Sequence, residues 1–288
     1  MIAPTLTVAL ILGGLFIALF IVEIIAPLRQ ARHPLAHRLL VNLSISALAF
    51  VTAAGLVKPA GMTTMHYVSE QRLGLLQWLE LPAAVRLAIG FLLMDLTFYY
   101  WHMANHKIPF LWRFHNAHHI DPELDVSTAF RFHFVEVALS AGFRVVQIVL
   151  IGVSPLTYAV YELVFQANTL FHHSNVRLPI RLERFLNKIL VTPRMHGIHH
   201  SDLRPENNSN YSVVFSWWDR LHRTLRLNIP QSQVVIGIPA YARAEDNKLA
   251  RALIMPFTHQ RDYWRSADRL SKERARTSIE APVTYLEE

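Results

Sequence analysis

The sequence predicts an all-α fold: an integral membrane bundle of four to five spans, capped on its cytoplasmic side by histidine-rich helices. Three observations predict it. The 288 residues are 52% hydrophobic and only 17% charged, against about 25% charged in a soluble domain. Several apolar runs are long enough to cross a ~30 Å hydrocarbon core. Finally, most of the 16 histidines fall in ligand-like spacings beyond those runs.

The runs are taken in order. Thr5 to Ile25 is apolar apart from Glu23, with no basic residue before it and no small-residue cleavage pattern after it, so it reads as a retained anchor. Leu39 to Val57 carries no charge. Ala83 to Trp101 contains Arg86 and Asp95. Phe134 to Val153 and Pro155 to Phe171 are joined at Ser154-Pro155, which predicts a tight helical hairpin. The last two runs hold Glu136, Arg144, Gln147, Glu162, Gln166 and Asn168, which should face the bundle interior because charge in lipid is costly. Arg144 is expected to pair with a carboxylate there.

Loop charges orient the bundle. Arg29, Arg32 and Arg38 follow the first run, and Lys107, Arg113 and Arg131 follow the third. The loop after the second holds Lys58 and Arg72, offset by Glu70 and Glu80. The N-terminus is therefore expected outside, with residues 28–38, 102–133 and 172–288 cytoplasmic. Pro179 to Leu190 places Leu182, Phe185, Leu186 and Ile189 on one helical face, a pattern suited to the membrane interface. From Thr258 the chain turns polar and reads as a solvated tail. The organisation expected is an N-terminal transmembrane hairpin and loop (1–82), a central histidine-bearing domain (83–230) and a polar C-terminal region (231–288). The net charge of +7 suits loops facing anionic headgroups. No basic stripe with interleaved aromatics points to nucleic acid, and the absence of cysteine excludes disulfides, thiolate catalysis and a cysteine-held iron–sulfur cluster.

His102 and His106 are four apart; His115, His118 and His119 have H-x-x-H-H spacing, and His196, His199 and His200 repeat it. On a helix, positions i, i+3 and i+4 share one face, so each cluster can aim several imidazoles at one point. His172-His173 closes the fifth run, with His173 the preferred ligand and His172 an alternative. Imidazole suits iron, zinc, copper and nickel. Eight or nine histidines exceed what one ion uses, so two ions are the economical reading, and a nitrogen-rich pair favours a redox metal over structural zinc. His33, His37, His66, His222 and His259 are isolated and read as ordinary polar groups. His133 reads as a hydrogen-bonding neighbour of the site rather than a ligand. A membrane metal transporter or metal-storage protein would need similar residues, but transporters usually place ligands near the bilayer midplane, whereas these cluster beyond the spans.

With these residues in order, the chain resembles the fatty acid hydroxylase/sterol desaturase superfamily. The resemblance runs over about residues 85–225. It is carried by Asp95 to His106 (D-L-T-F-Y-Y-W-H-M-A-N-H), Trp112 to His119 (W-R-F-H-N-A-H-H), Arg131-Phe132-His133, His173-Ser174-Asn175, Thr192 to His200 (T-P-R-M-H-G-I-H-H) and Asn210 to Thr224. The chain departs from the pattern at Ser212, where members often have glycine, at His222-Arg223, and in lacking a proline after His133. None of these is a family ligand position. The resemblance implies a di-iron site held by His102, His106, His115, His118, His119, His173, His196, His199 and His200, with O2 as co-substrate. It further implies hydroxylation or desaturation of a C–H bond in a membrane lipid or sterol. A family member that keeps the metal but has lost catalysis would share the same residues. Asp95, Asn116, Asp202 and Asp219 are candidates to orient the imidazoles. The chain has no dinucleotide-binding glycine motif and no haem module, so an external electron donor, a reductase or small carrier, is expected.

Overall fold

The computed structural model describes residues 2–265, with side chains from Leu6 onward; the rest of the expected tail, 266–288, lies outside the described residues. Regular structure among the described residues is helical, with three isolated bridges and no strand. Helix α1 (Ile2–Ile25) is followed by α2 (Leu35–Thr52), α3 (Lys58–Gln71), the short α4 (Leu75–Trp78), α5 (Ala83–Lys107), α6 (Pro109–His119), α7 (Phe134–Ile151) and α8 (Pro155–His173). Smaller helices α9 (Ile180–Leu186), α10 (Pro193–His199), α11 (Arg204–Asn207), α12 (Trp217–His222) and α13 (Leu249–Ile254) build the cap.

Four helical stretches are long and apolar enough to cross a membrane: Leu6–Ile25, Leu35–Trp78, Ala83–Lys107 and Phe134–Ile151. Leu10, Ile17, Ile25, Leu40 and Val51 all point outward with more than half their surface exposed, as lipid-facing side chains do. Helix α8 forms where expected, but it is not among the four, because Glu162, Gln166, Asn168 and two histidines dilute its apolar residues. Its Glu162 supplies the expected partner of Arg144, at 2.6 Å, and Arg144 also donates to Gln147 at 2.7 Å.

The second span does not end at Val57. Helix continues through Pro59 to Gln71 by way of a π turn at Ala53–Val57. Proline lacks an N–H and crowds the carbonyl four residues before it. A wider turn placed just ahead absorbs both defects, so the chain bends rather than stops. The real break is at Arg72, in the left-handed region with φ 51°, and Gly74, with φ 88°. Gly74 packs directly on Gly152, also left-handed at φ 74°, where α7 ends. A Cβ on either residue would strike the other turn's backbone.

The two largest of the apolar clusters among the described residues join most of the bundle. One joins Met65, Val68, Leu76, Met94, Ile148 and Tyr161, from α3, α4, α5, α7 and α8. The other joins Val41 and Ile45 of α2 to Trp112, Ala117 and Ile120 around α6, and then to Ile238, Tyr241, Ala252 and Met255. The C-terminal region is therefore not simply polar. Tyr263 and Trp264 also pack against this core, and Arg261 pairs with Asp246 at 2.8 Å. Residues 258–265 thus belong to a strap across α6 rather than to a solvated tail.

Helix α9 is shorter than the expected 179–190 stretch. Asn187 ends it by turning inward, where its side-chain amide donates to Met195 Sδ. Leu182, Phe185 and Ile189 face outward, while Glu183 is fully buried and receives Arg194 Nε at 2.7 Å. Apolar side chains outside and an ion pair inside is the arrangement of a helix lying against lipid.

Candidate metal centre

Helix ends deliver the histidines. His102 and His106 lie one turn apart at the end of α5. Ile108 is held extended, as residues before proline are, and Pro109 then starts α6 at a corner. That corner folds His115, His118 and His119 back over α5. The last turn of α8 brings His173, and α10 with the residue after it brings His196, His199 and His200.

All nine are buried, and they separate into two groups. His102, His106, His115, His119 and His199 form one; His118, His173, His196 and His200 form the other. Within each group one nitrogen per ring lies within 4.8 Å of all the others. In the second group, His173 Nε2 is 3.0 Å from His118 Nε2 and 3.0 Å from His196 Nε2, and His196 Nε2 is 3.1 Å from His200 Nε2. In the first, His115 and His119 bring their Nε2 atoms to 3.2 Å. Nitrogens bound at about 2.0–2.1 Å to one ion sit about this far apart.

The opposite ring nitrogens fix the tautomers. His102 Nδ1 donates to Tyr211 O at 2.7 Å, His173 Nδ1 to Thr169 O at 2.8 Å and His199 Nδ1 to Ser209 O at 2.7 Å. His115 Nδ1 donates to Glu136 Oε1 at 2.8 Å; the Asn207 side-chain nitrogen lies 3.1 Å from His119 Nδ1, a contact that does not assign that ring's tautomer. Each donation through Nδ1 leaves a lone pair on Nε2, aimed into the group. His199 Nε2 and both nitrogens of His106 have no hydrogen-bond partner. Buried polar atoms are rarely left so, and a shared cation would satisfy His199 Nε2 and one of the two His106 nitrogens. The donor set fits a nitrogen-liking transition metal.

The electrostatics agree. Burial, reinforced by neighbouring imidazoles, pushes His118, His119, His196 and His200 well below the ordinary histidine value. His173 and His199 are lowered to about 3, again mainly by burial. The rings are thus held neutral, the form that binds metal.

Of the four expected orienting residues, Asp219 and Asp95 act one step away, while the Asn116 side chain and the Asp202 amide bond to residues outside the two groups. Asp219 accepts from the Tyr211 and Ser212 amides at 2.9 and 2.8 Å. Asp95 accepts from the Val214 and Phe215 amides and from Trp218 Nε1. Both hold the segment whose Tyr211 carbonyl receives His102. Asn116 donates to Met255 Sδ, and the Asp202 amide donates to Val235 O. The direct partners Glu136, Asn207 and the carbonyls of Thr169, Ser209 and Tyr211 went unforeseen. Backbone carbonyls leave no sequence signal, and Glu136 stood out only as a charge in an apolar run. His133 caps α7 by accepting from Val135 N and also meets Leu253 O, so it faces away from both groups. His172 packs against His196 with centroids 4.2 Å apart and planes tilted by 52° but joins neither group.

Residues 87–224 match the model of the fatty acid hydroxylase family. That segment is similar to a fatty acid hydroxylase domain. All nine grouped histidines lie within it. Over 162 residues the chain is 30% identical to an ornithine lipid hydroxylase of Rhizobium tropici, covering 56% of this chain and 47% of that one. It is 31% identical over 139 residues to human cholesterol 25-hydroxylase, covering 47% and 49%. With human alkylglycerol monooxygenase it shares 29% over 152 residues, covering 52% and 32%. The chain spans about half the length or less of these curated relatives. No solved structure matches it.

Proposed function

We propose that the chain is a multi-pass membrane oxygenase that hydroxylates a C–H bond of a membrane lipid, using two iron ions held by the hydroxylase domain's nine histidines. The observation that carries this reading is the division of those histidines into a buried group of five and a buried group of four. Iron bound there supplies the activation of O2 that insertion into an unactivated C–H bond requires. The relatives' names favour hydroxylation over desaturation.

The chain's own residues do the rest. The Nδ1 donations to Tyr211, Thr169 and Ser209 carbonyls and to Glu136 aim each Nε2 and keep the rings neutral. Burial excludes bulk water. A cavity of about 180 Å³ lies between α2, the π turn, α5, α7 and α8. Phe98, Trp101, Phe132 and Phe165 line it, as do Glu136 and Thr169, the residues that receive His115 and His173. Phe132 itself stacks on His118 at 4.6 Å. Because this cavity lies among the membrane helices, an acyl chain or sterol can enter from the bilayer and present one carbon to the site. The loop Lys and Arg residues favour a centre on the cytoplasmic side, and a separate donor would supply its electrons.

The test is a lipid extract from cells expressing the wild type or His199→Ala under oxygen. The wild type should accumulate a lipid heavier by one oxygen atom, and the variant should not. Identical extracts would refute the reading.

A further inference from the structure

We propose that an acidic one-electron carrier protein docks over a surface cavity beside Trp264 and that its electrons reach the five-histidine group through Trp264 and Trp112. This rests on the site being a redox iron centre. The cavity, of about 300 Å³, is lined by His106, Lys107, Trp112, Arg204, Tyr263 and Trp264, among others, and no carboxylate lines it. It is a place where a surface cavity meets a buried grouped histidine. Lys107 and Arg204 are exposed at its rim, giving it the charge that draws in an acidic partner.

An unbroken aromatic path starts there. Trp264 stacks on Trp112 with centroids 6.1 Å apart and planes within 23°. Trp112 is buried and lies 4.9 Å from His106 and 5.4 Å from His119, centroid to centroid. Both belong to the five-histidine group. Electron tunnelling decays exponentially with the gap between π systems, so successive ring contacts form the favoured route. In the transfer, one reduced carrier loses one electron and one ferric ion becomes ferrous; no bond forms and no proton moves. Two carriers supply the two electrons that hydroxylation by O2 consumes.

The experiment uses full-length, iron-loaded protein in detergent, mixed anaerobically with a prereduced plant-type [2Fe–2S] ferredoxin, an acidic carrier. Ferredoxin reoxidation is followed by stopped flow, and dithionite reduction and iron content are measured in parallel. The wild-type bimolecular rate should fall as salt rises. A Lys107→Glu/Arg204→Glu variant should slow it at least tenfold and remove the salt dependence. Trp264→Leu should slow transfer at saturating ferredoxin about tenfold, Trp264→Phe should restore part of it, and dithionite reduction and iron content should not change in either. Rates within twofold of wild type in both the charge variant and Trp264→Leu would overturn the proposal, as would a wild-type rate indifferent to salt. Iron that accepts no electron even from dithionite would overturn the oxygenase reading and this proposal with it.

Discussion

At the scale of single residues, the centre is governed by what lies behind each imidazole. Glu136 receives His115 Nδ1 at 2.8 Å, fixing the ring and raising the basicity of its other nitrogen. Outer partners of this kind are worth about 10–100-fold in metal affinity or activity. Glu136→Gln should therefore lower iron affinity or turnover by roughly that factor while helical content by circular dichroism stays unchanged; a variant with wild-type affinity and turnover would remove Glu136 from the site. The same burial sets a pH dependence. His173 and His199 titrate near 3 in the folded chain, against 6.5 when exposed. Between those values the unfolded chain binds more protons, so these groups lend stability that is whole above about 6.5 and lost as pH falls toward 3. Metal-free protein should show a midpoint of thermal unfolding that drops steadily from pH 7 to pH 5. A flat profile would mean the rings are not buried neutral. The positions of the clustered histidines were legible in the sequence, because i, i+3 and i+4 spacing makes a helix face a chemical statement. Their carbonyl partners were not, since backbone atoms are the same in every residue.

At the scale of elements, the histidine helices are locked in place by buried charge. Asp121, just past α6, accepts from Arg38 Nε of α2 at 2.9 Å, from Asn42 at 2.8 Å and from Thr128 at 2.8 Å. Arg131 is also fully buried and donates to Ala117 O, Asn42 and Asn247. The two arginines hold the Asp121 carboxyl well below the usual carboxylate range. Asp121→Asn would leave them buried with one partner fewer. Breaking such a pair costs about 3–5 kcal/mol, so the variant should unfold at clearly lower temperature in detergent and lose iron with it. Unchanged stability would contradict this role. Arg29, Arg38 and Arg131 counted as loop charges in the sequence, yet all three are buried. The charge rule counts residues near span ends and is blind to whether they face water or a carboxylate. The π turn before Pro59 was equally invisible: a proline in an apolar run reads as a stop unless the preceding turn can widen.

At the scale of the whole molecule, the apolar runs and histidine clusters foretold a helical membrane bundle with a histidine cap. They did not foretell the strap formed by residues 238–264, whose Ile238, Tyr241 and Met255 contacts with Trp112 and Ile120 link parts far apart in sequence. The orientation can be tested directly, because the chain has no cysteine. A single cysteine in place of exposed Gln71 should react with an impermeant thiol reagent in intact cells, and one in place of exposed Gln30 only after permeabilisation. The reverse pattern, or reaction of both from one side, would contradict the orientation. The account stands or falls on the metal. The most direct measurement is the iron and zinc content of protein purified in mild detergent, with Mössbauer spectra of an iron-57 sample. The account predicts two irons per chain in a coupled pair, one for each histidine group; a single zinc, or no metal above background, would contradict it.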